Sequence, residues 1–190
     1  MTGIWNSITT MLADFAIDFY ENNIKQTEIH DGLRTIEEII THRGFICETH
    51  EIKTIDGYYL TLHRIINPLN ESRVKKPVLL QHGLGAHSAQ WCINSEDGSA
   101  TRVPSVPLPR NQVDDSIAFA LSNAGYDVWM SNIRGSKYSM KHEVYDHEKD
   151  PEFWDFNFDD IVEKDIPPII DFILKICETS KSTFSMISIS

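Results

Sequence analysis

The sequence has little positive charge and few cysteines. Its 190 residues include 17 Lys and Arg against 28 Asp and Glu, which gives a formal net charge of -11. Because binding to phosphates depends on clustered Lys and Arg, no nucleic-acid partner is expected. Cys47, Cys92 and Cys177 form no C-x-x-C pair, which argues against a zinc knuckle or a redox motif. One disulfide, Cys47–Cys92, stays open as an alternative.

Long hydrophobic runs are also missing. No stretch of about 18 apolar residues occurs, so no transmembrane segment is predicted. Residues 1–20 contain no Lys or Arg and are interrupted by Asp14 and Asp18, so the sequence shows no clear signal peptide. Helical spacing of apolar residues there predicts an amphipathic helix, within an N-terminal helical extension over residues 1–34. A helix lying on a membrane is the less favoured alternative, because its polar face lacks basic residues.

Hydrophobic periodicity and turn residues predict the order of the secondary-structure elements. Helices are predicted over residues 35–42, 114–123 and 158–177, the last kinked by Pro167 and Pro168. Strands are predicted over residues 47–54, 58–66, 77–80 and 126–130. The first two strands form a hairpin, and the third is apolar throughout, as expected of a strand buried on both faces. This order predicts an α/β fold with a mixed, mainly parallel sheet.

A long segment between the third strand and the second helix lacks periodicity. Residues 92–113 contain Pro104, Pro107 and Pro109 and are interpreted as a long loop insertion. Loops of this length are lids, binding loops or mobile insertions, of which the last is favoured. The remaining elements predict one domain over residues 35–190.

A glycine-containing turn follows the apolar strand, at Gln81-His82-Gly83-Leu84-Gly85. Such a turn leaves backbone N–H groups at the carboxyl end of the sheet, where they can bind an oxyanion. A structural role, either ring-stacking or hydrogen-bonded, is favoured for His82 over catalysis or metal binding, because no second ligand lies at metal spacing. No metal and no cofactor are expected: the chain has eight His residues but no H-E-x-x-H motif.

Other charged and aromatic residues favour structural interpretations. Arg134 follows a strand and is expected to make a charge-assisted contact with a nearby carboxylate. Acidic residues assigned to helix first turns and solvated faces, none of them a credible triad acid, are Asp114, Asp115, Asp159, Asp160 and Asp165. Aromatic residues assigned to the core or its rim, with an acyl pocket as the alternative, are Phe153, Trp154, Phe156 and Phe158.

Several motifs occur in one series along the chain. They are Thr54-Ile55-Asp56-Gly57-Tyr58-Tyr59-Leu60, His63-Arg64-Ile65, Leu80-Gln81-His82-Gly83-Leu84, Ala124-Gly125-Tyr126-Asp127-Val128-Trp129-Met130-Ser131-Asn132-Ile133-Arg134-Gly135, Glu152-Phe153-Trp154-Asp155-Phe156 and Asp165-Ile166-Pro167. This series resembles the acid lipase family, the gastric and lysosomal lipases, over about residues 35–177. The resemblance implies an α/β-hydrolase fold, hydrolysis of triacylglycerols or sterol esters by a Ser-His-Asp triad, and a secreted or lysosomal parent enzyme. It assigns one catalytic role here, to Leu84, as a backbone donor of the oxyanion hole.

The remaining half of such a catalytic site is not found in the sequence. An α/β-hydrolase needs a Ser within G-x-S-x-G, followed by an acid and a His, and this motif is absent. Ser190 lies near the expected nucleophile position but has no neighbouring glycine, so it is not assigned as catalytic. We therefore expect the N-terminal portion of an acid-lipase-like enzyme with an incomplete α/β-hydrolase fold, inactive by itself, whose complete form takes a lipid ester. The alternative is a non-catalytic product that binds lipid or pairs with a lipase through an unfinished sheet edge.

Overall fold

A computed structural model describes residues 33–69, 76–93 and 116–188. The predicted N-terminal helix, Asp114, Asp115, Ser190 and most of the 92–113 loop lie outside these residues. Cys92 is described and is buried in the core, directly after a 3₁₀ turn over Ser88–Trp91. Within the described ranges, no helix is long and apolar enough to cross a membrane.

The first described helix, α1, spans Ile36–His42 and confirms the predicted helix there. Thr35 starts it with a capping box: the Glu38 N–H donates to Thr35 Oγ1 at 3.2 Å, and the Thr35 N–H donates to Glu38 Oε2 at 2.7 Å. These bonds satisfy backbone donors that a helix start leaves unpaired. Shortly after the helix, Gly44 adopts a φ of 80°, in the region that favours glycine and ends helices.

The described strands form one mixed sheet. They are β1 (Ile46–Lys53), β2 (Tyr58–Ile66), β3 (Pro77–Gln81), β4 (Asp127–Ser131), β5 (Lys141–His142) and β6 (Ser185–Ser188). The order across the sheet is β1-β2-β4-β3-β6, and β5 also pairs with β2. The four strands predicted from the sequence are all present.

The pairing directions confirm a mixed sheet but not the expected excess of parallel pairs. β3 is parallel to β4 and to β6, whereas β2 is antiparallel to β1, β4 and β5. A tight turn explains the first antiparallel pair: Gly57 has a φ of 97°, and the Thr54 N–H donates to the Tyr58 carbonyl at 2.8 Å. A turn this short can join only antiparallel strands. Helix α2 (Ile117–Asn123) leads into β4, as in the crossover that parallel strands require.

The predicted long helix is divided into three segments. They are α3 (Phe158–Asp160), a π-helical turn over Ile161–Asp165 and α4 (Ile166–Ile176). Pro167 and Pro168 lie in the first turn of α4, where a missing N–H is tolerated. In a continuous α-helix these prolines would leave the carbonyls of residues 163 and 164 without donors. The wider π turn lies directly upstream of them, at the position where the α-helical ladder is interrupted.

The core occupies both faces of the sheet. Val78 and Leu80 of β3 pack in the cluster that contains α1 and α2, while Leu79 packs in the cluster that contains Ile169 and Ile173 of α4. All five β3 residues are buried, which confirms the prediction of a strand covered on both faces. Burial of each such aliphatic side chain stabilises the fold by about 1.5–3 kcal/mol. β3 is therefore a rigid base for the turn that follows it.

The sequence allows a Cys47–Cys92 disulfide as an alternative, and the structure does not contain this bond. Cys47 is a free thiol. Its Sγ lies 3.9 Å from the carbonyl oxygen of Glu48, on the same strand. Both cysteines pack in the core cluster between the sheet and α1, so their shared role is apolar packing.

Candidate active site

The turn after β3 is built around one carbonyl group. β3 ends at Gln81, and residues 82–85 then leave the sheet. The Ala86 N–H donates to the Gly83 carbonyl at 3.2 Å, which closes the turn. Gly85 makes this possible with a φ of 75°, a conformation that residues with a Cβ rarely adopt.

His82 has a hydrogen-bond arrangement that determines its tautomer. The Ile133 N–H lies 3.2 Å from Nε2, and the Gly83 carbonyl oxygen lies 2.8 Å from Nδ1. Since an amide N–H can only donate and a carbonyl can only accept, the ring proton must be on Nδ1. Burial lowers the pKa of His82, which favours this neutral form. Of the two structural roles expected for His82, ring-stacking or hydrogen-bonded, the structure shows the hydrogen-bonded one.

Leu84 presents a backbone donor at the carboxyl end of β3. The residue is 84% exposed, and no acceptor among the described residues pairs with its N–H. Leu84 also lines a cavity of about 300 Å³. An unpaired N–H beside a cavity is what an oxyanion hole needs. The structure thus brings Leu84 to a suitable place, and its catalytic role stays a prediction.

The cavity beside Leu84 is mainly apolar, and several parts of the fold line it, including Ile133 after β4 and Ile166 at the start of α4. The turn after β3 forms one wall, α3 and the π turn form another, and Met186 and Ser188 of β6 form a further one. Phe158, at the start of α3, is 68% exposed and lies on this cavity. A pocket of this kind accepts an apolar ligand group next to a polar anchor.

The four aromatic residues singled out in the sequence separate into core and rim. Phe153 is fully buried, in the cluster with α4. Phe156 is half-buried and packs on that cluster. Trp154 is half-exposed, and its Nε1–H donates to the His147 carbonyl at 2.9 Å. Phe158 alone among them lines the cavity, so it is the one that fits the acyl-pocket alternative.

Arg134 makes the carboxylate contact that the sequence predicts, with two partners. Its Nη1 and Nη2 donate to Asp56 at 2.7 and 3.0 Å, and its Nε donates to Asp165 at 2.8 Å. The Tyr58 ring lies under the guanidinium, 4.1 Å from ring centroid to Cζ. The Arg134 side chain is only 1% exposed, so these charge-assisted bonds are shielded from water.

The assignment of Asp165 to a solvated face is wrong. Its side chain is completely buried and is paired with Arg134. Burial raises the pKa of Asp165, and the hydrogen bonds from Arg134 act in the opposite direction. Asp159 and Asp160 do lie in the first turn of α3, where their N–H groups donate to the Asn157 side chain. For these two the helix-start interpretation is confirmed.

Sequence reasoning missed a polar chain that attaches α1 to the sheet. His63 is completely buried, with Nδ1 3.1 Å from Ser88 Oγ and Nε2 3.2 Å from Glu37 Oε1. The Asn132 Oδ1 accepts from the Ser88 N–H at 2.9 Å. Ser88 is also buried, so a substrate cannot reach its hydroxyl and the chain is structural. No sequence spacing links these residues, which come from four separate segments.

Comparison with known proteins identifies related sequences. Residues 36–95 match the family model described as the partial alpha/beta-hydrolase lipase region. Over 150 residues the chain is 38% identical to lipase member M of Mus musculus, covering 76% of this chain and 31% of that protein. Over 143 residues it is 40% identical to gastric triacylglycerol lipase of Rattus norvegicus, covering 74% of this chain and 32% of that protein.

Among solved structures, the Pyrococcus furiosus esterase Pf2001 matches with a TM-score of 0.43 and 16% identity, over 78% of this chain and 43% of that chain. The chain spans about a third of the length of the curated lipases it matches. The family match over residues 36–95 begins at α1 and includes β3 and the turn that carries Leu84. Residues 36–95 are therefore similar to the partial lipase region of the α/β-hydrolases, and about three quarters of the chain is similar to roughly a third of lipase member M and of gastric triacylglycerol lipase.

Proposed function

We propose that this chain supplies the sheet and the first oxyanion donor of an acid-lipase-like carboxylic ester hydrolase, which acts on triacylglycerols or sterol esters. One observation carries the proposal: Leu84, whose N–H pairs with no acceptor among the described residues, lies in the turn after a doubly buried parallel strand and lines an apolar cavity. The relationship to gastric triacylglycerol lipase supports the choice of ester class.

The proposed role of Leu84 follows from how ester hydrolysis develops charge. When a nucleophile attacks the ester carbonyl, negative charge accumulates on the carbonyl oxygen. A fixed N–H aimed at that oxygen stabilises the transition state more than the neutral ester. The apolar cavity wall next to Leu84 would then hold the acyl chain.

The nucleophile needs residues other than those described. The 190 residues contain no G-x-S-x-G motif, and Ser88 is buried away from the cavity. The 190-residue chain alone should therefore give no turnover of a soluble p-nitrophenyl ester above the blank. Saturable turnover that a serine-directed inhibitor abolishes would contradict this part of the proposal.

A chimera tests the oxyanion role directly. Residues 35–188 would replace the matching part of rat gastric triacylglycerol lipase, with Leu84→Pro compared with Leu84→Ala. Proline removes the N–H, whereas alanine keeps it. We expect Leu84→Pro to lower kcat by about 10²–10³ relative to Leu84→Ala, the usual cost of losing one oxyanion donor. Equal kcat values in folded chimeras, checked by circular dichroism, would refute the role.

The mass of the endogenous protein separates a complete enzyme from a short product. Peptides between Tyr58 and Arg134 identify it, and its mass is compared with the 21.8 kDa of this sequence. A much larger mass is expected if the working product also contains the triad. A mass near 21.8 kDa would favour the second candidate function, described next.

The second candidate is a non-catalytic product that pairs with a lipase or binds lipid. β6 pairs with β3 on one side, and no described strand lies on its other side. Its Met186 and Ile187 are 41% and 38% exposed. An exposed apolar edge is a template for strand addition. Co-elution with a purified gastric lipase, lost in Ile187→Lys, would support pairing, and separate elution at micromolar concentrations would refute it.

We place the complete enzyme on the secretory or lysosomal route, as the family resemblance implies. The sequence offers one glycosylation sequon, Asn70-Glu71-Ser72, which lies outside the described residues. Expression in secretory cells should give a product whose mass falls on glycosidase treatment, and Asn70→Gln should remove that fall. An unglycosylated cytosolic product would contradict this placement.

A further inference from the structure

We propose that His82 is a positioning residue that sets the direction of the Leu84 N–H. The significance of this arrangement for catalysis rests on the proposed function. The arrangement itself can be tested on the chain without substrate.

One peptide plane links the Gly83 carbonyl to the Leu84 N–H. The structure has no cis peptide bonds, so the Gly83 C=O and the Leu84 N–H point in opposite directions from one rigid plane. Two donors hold that carbonyl: His82 Nδ1 at 2.8 Å and the Ala86 N–H at 3.2 Å. Rotating the plane would break both bonds. Whatever fixes the Gly83 carbonyl therefore also fixes the Leu84 N–H.

The His82 ring is in turn attached to the end of β4. Its Nε2 accepts from the Ile133 N–H at 3.2 Å, and the residue is 3% exposed. The next residue, Arg134, donates its own N–H to buried Asp165 at 3.0 Å. Two consecutive backbone amides thus join the turn after β4 to His82 on one side and to the π turn on the other. The ring has a fixed support that an exposed side chain would lack.

The protonation state agrees with this role. Burial lowers the pKa of His82; the hydrogen bond to the Gly83 carbonyl acts in the opposite direction, and His87 adds a smaller lowering. The neutral ring with its proton on Nδ1 is the form that donates to Gly83 and accepts from Ile133. A second proton on Nε2 would oppose the Ile133 N–H and remove that support.

Two substitutions test the two ring nitrogens of His82 separately. His82→Asn keeps a donor near the Nδ1 position, and His82→Gln keeps an acceptor near the Nε2 position. We expect the Leu84 amide to have a ¹⁵N order parameter of about 0.85 in the unchanged chain and in His82→Asn. In His82→Gln it should fall below about 0.6, the range of flexible backbone. The amides of Leu79 and Trp129, in the buried strands, should stay rigid in both variants.

Three results would overturn the proposal. They are a rigid Leu84 amide in His82→Gln, an equal fall in both variants with rigid strands, and a flexible Leu84 amide in the unchanged chain. If the variants do not fold, the unchanged chain still decides: long-range ¹H–¹⁵N spectra must show the His82 proton on Nδ1, and the opposite tautomer refutes the proposal. A Leu84 amide that depends on His82, together with full activity of the Leu84→Pro chimera, would reject the proposed function alone.

Discussion

Asp165 accepts hydrogen bonds from both the backbone and the side chain of Arg134. The Arg134 N–H donates to Oδ2 at 3.0 Å, while Nε and Nη2 donate to Oδ1 at 2.8 and 2.7 Å. This pair joins the turn after β4 to the π turn, whose first residue, Ile161, lines the cavity. The cavity beside Leu84 therefore depends on a buried ion pair.

The first prediction concerns that ion pair. Asp165→Asn should lower the free energy of unfolding by about 3 kcal/mol, because removing one member of a buried pair leaves the other charge poorly compensated. Arg134 keeps Asp56 as a partner, which places the effect at the lower end of the usual range.

Urea unfolding followed by fluorescence measures this change in the free energy of unfolding. Asp171→Asn, at an exposed position of α4, is the control and should change the value by less than about 0.5 kcal/mol. Equal effects of the two substitutions would show that the pair is not stabilising.

The second prediction concerns Asp56 and acid stability. Burial opposes ionisation of Asp56, but hydrogen bonds from Arg134 and Thr54 lower its pKa from 3.8 to about 2. Because the folded-state pKa is below the unfolded value, the stabilising contribution is complete above about pH 4 and is lost as the pH falls towards 2. Asp56→Asn should therefore differ most from the unchanged chain above pH 4, and the two should converge near pH 2.

Unfolding free energies at pH 5, 3 and 2 check the acid prediction. Asp159→Asn, at an exposed position of α3, is the control and should run parallel to the unchanged chain. A gap between Asp56→Asn and the unchanged chain that stays constant, or widens towards pH 2, would contradict the expected sign.

Local sequence signals predicted much of the fold. For the contacts of Arg134 they identified the arginine but not its carboxylate partners. The hairpin, the buried strand β3 and the turn with Leu84 follow from alternation, apolar runs and glycine, all of which are local. The partners of Arg134 do not: Asp165 lies 31 residues away and Asp56 lies 78 residues away. Asp165 has the sequence context of a solvated helix residue, and Asp56 has that of a hairpin turn. Only tertiary packing brings the two carboxylates to one guanidinium.

The third prediction compares two glycines with nearly equal φ angles, 74° at Gly135 and 75° at Gly85. A Cβ on Gly135 would lie 2.9 Å from Trp154 Cζ3 and 3.0 Å from Phe156 Cζ, whereas one on Gly85 would meet no atom within 4 Å. Both alanine variants incur the cost of the left-handed backbone, but only Gly135→Ala displaces aromatic rings. Gly135→Ala should therefore be less stable than Gly85→Ala by about 1–3 kcal/mol in urea unfolding. Equal losses would mean that the rings move aside freely.

The last prediction concerns the thiols of Cys47 and Cys177. Burial is the largest cause that raises the pKa of each from 9.0 to about 12, with nearby Glu37 acting on Cys47 and Asp127 on Cys177. A rise of this size leaves about a thousandfold less thiolate at pH 8, so alkylation of the folded chain should be correspondingly slower than that of the unfolded chain.

Peptide mass spectrometry after timed iodoacetamide treatment, with and without urea, measures both rates. In urea without reductant both cysteines should react fully. A Cys47 that reacts only after reduction would reveal the disulfide that the structure lacks, and fast labelling in the folded chain would contradict its burial.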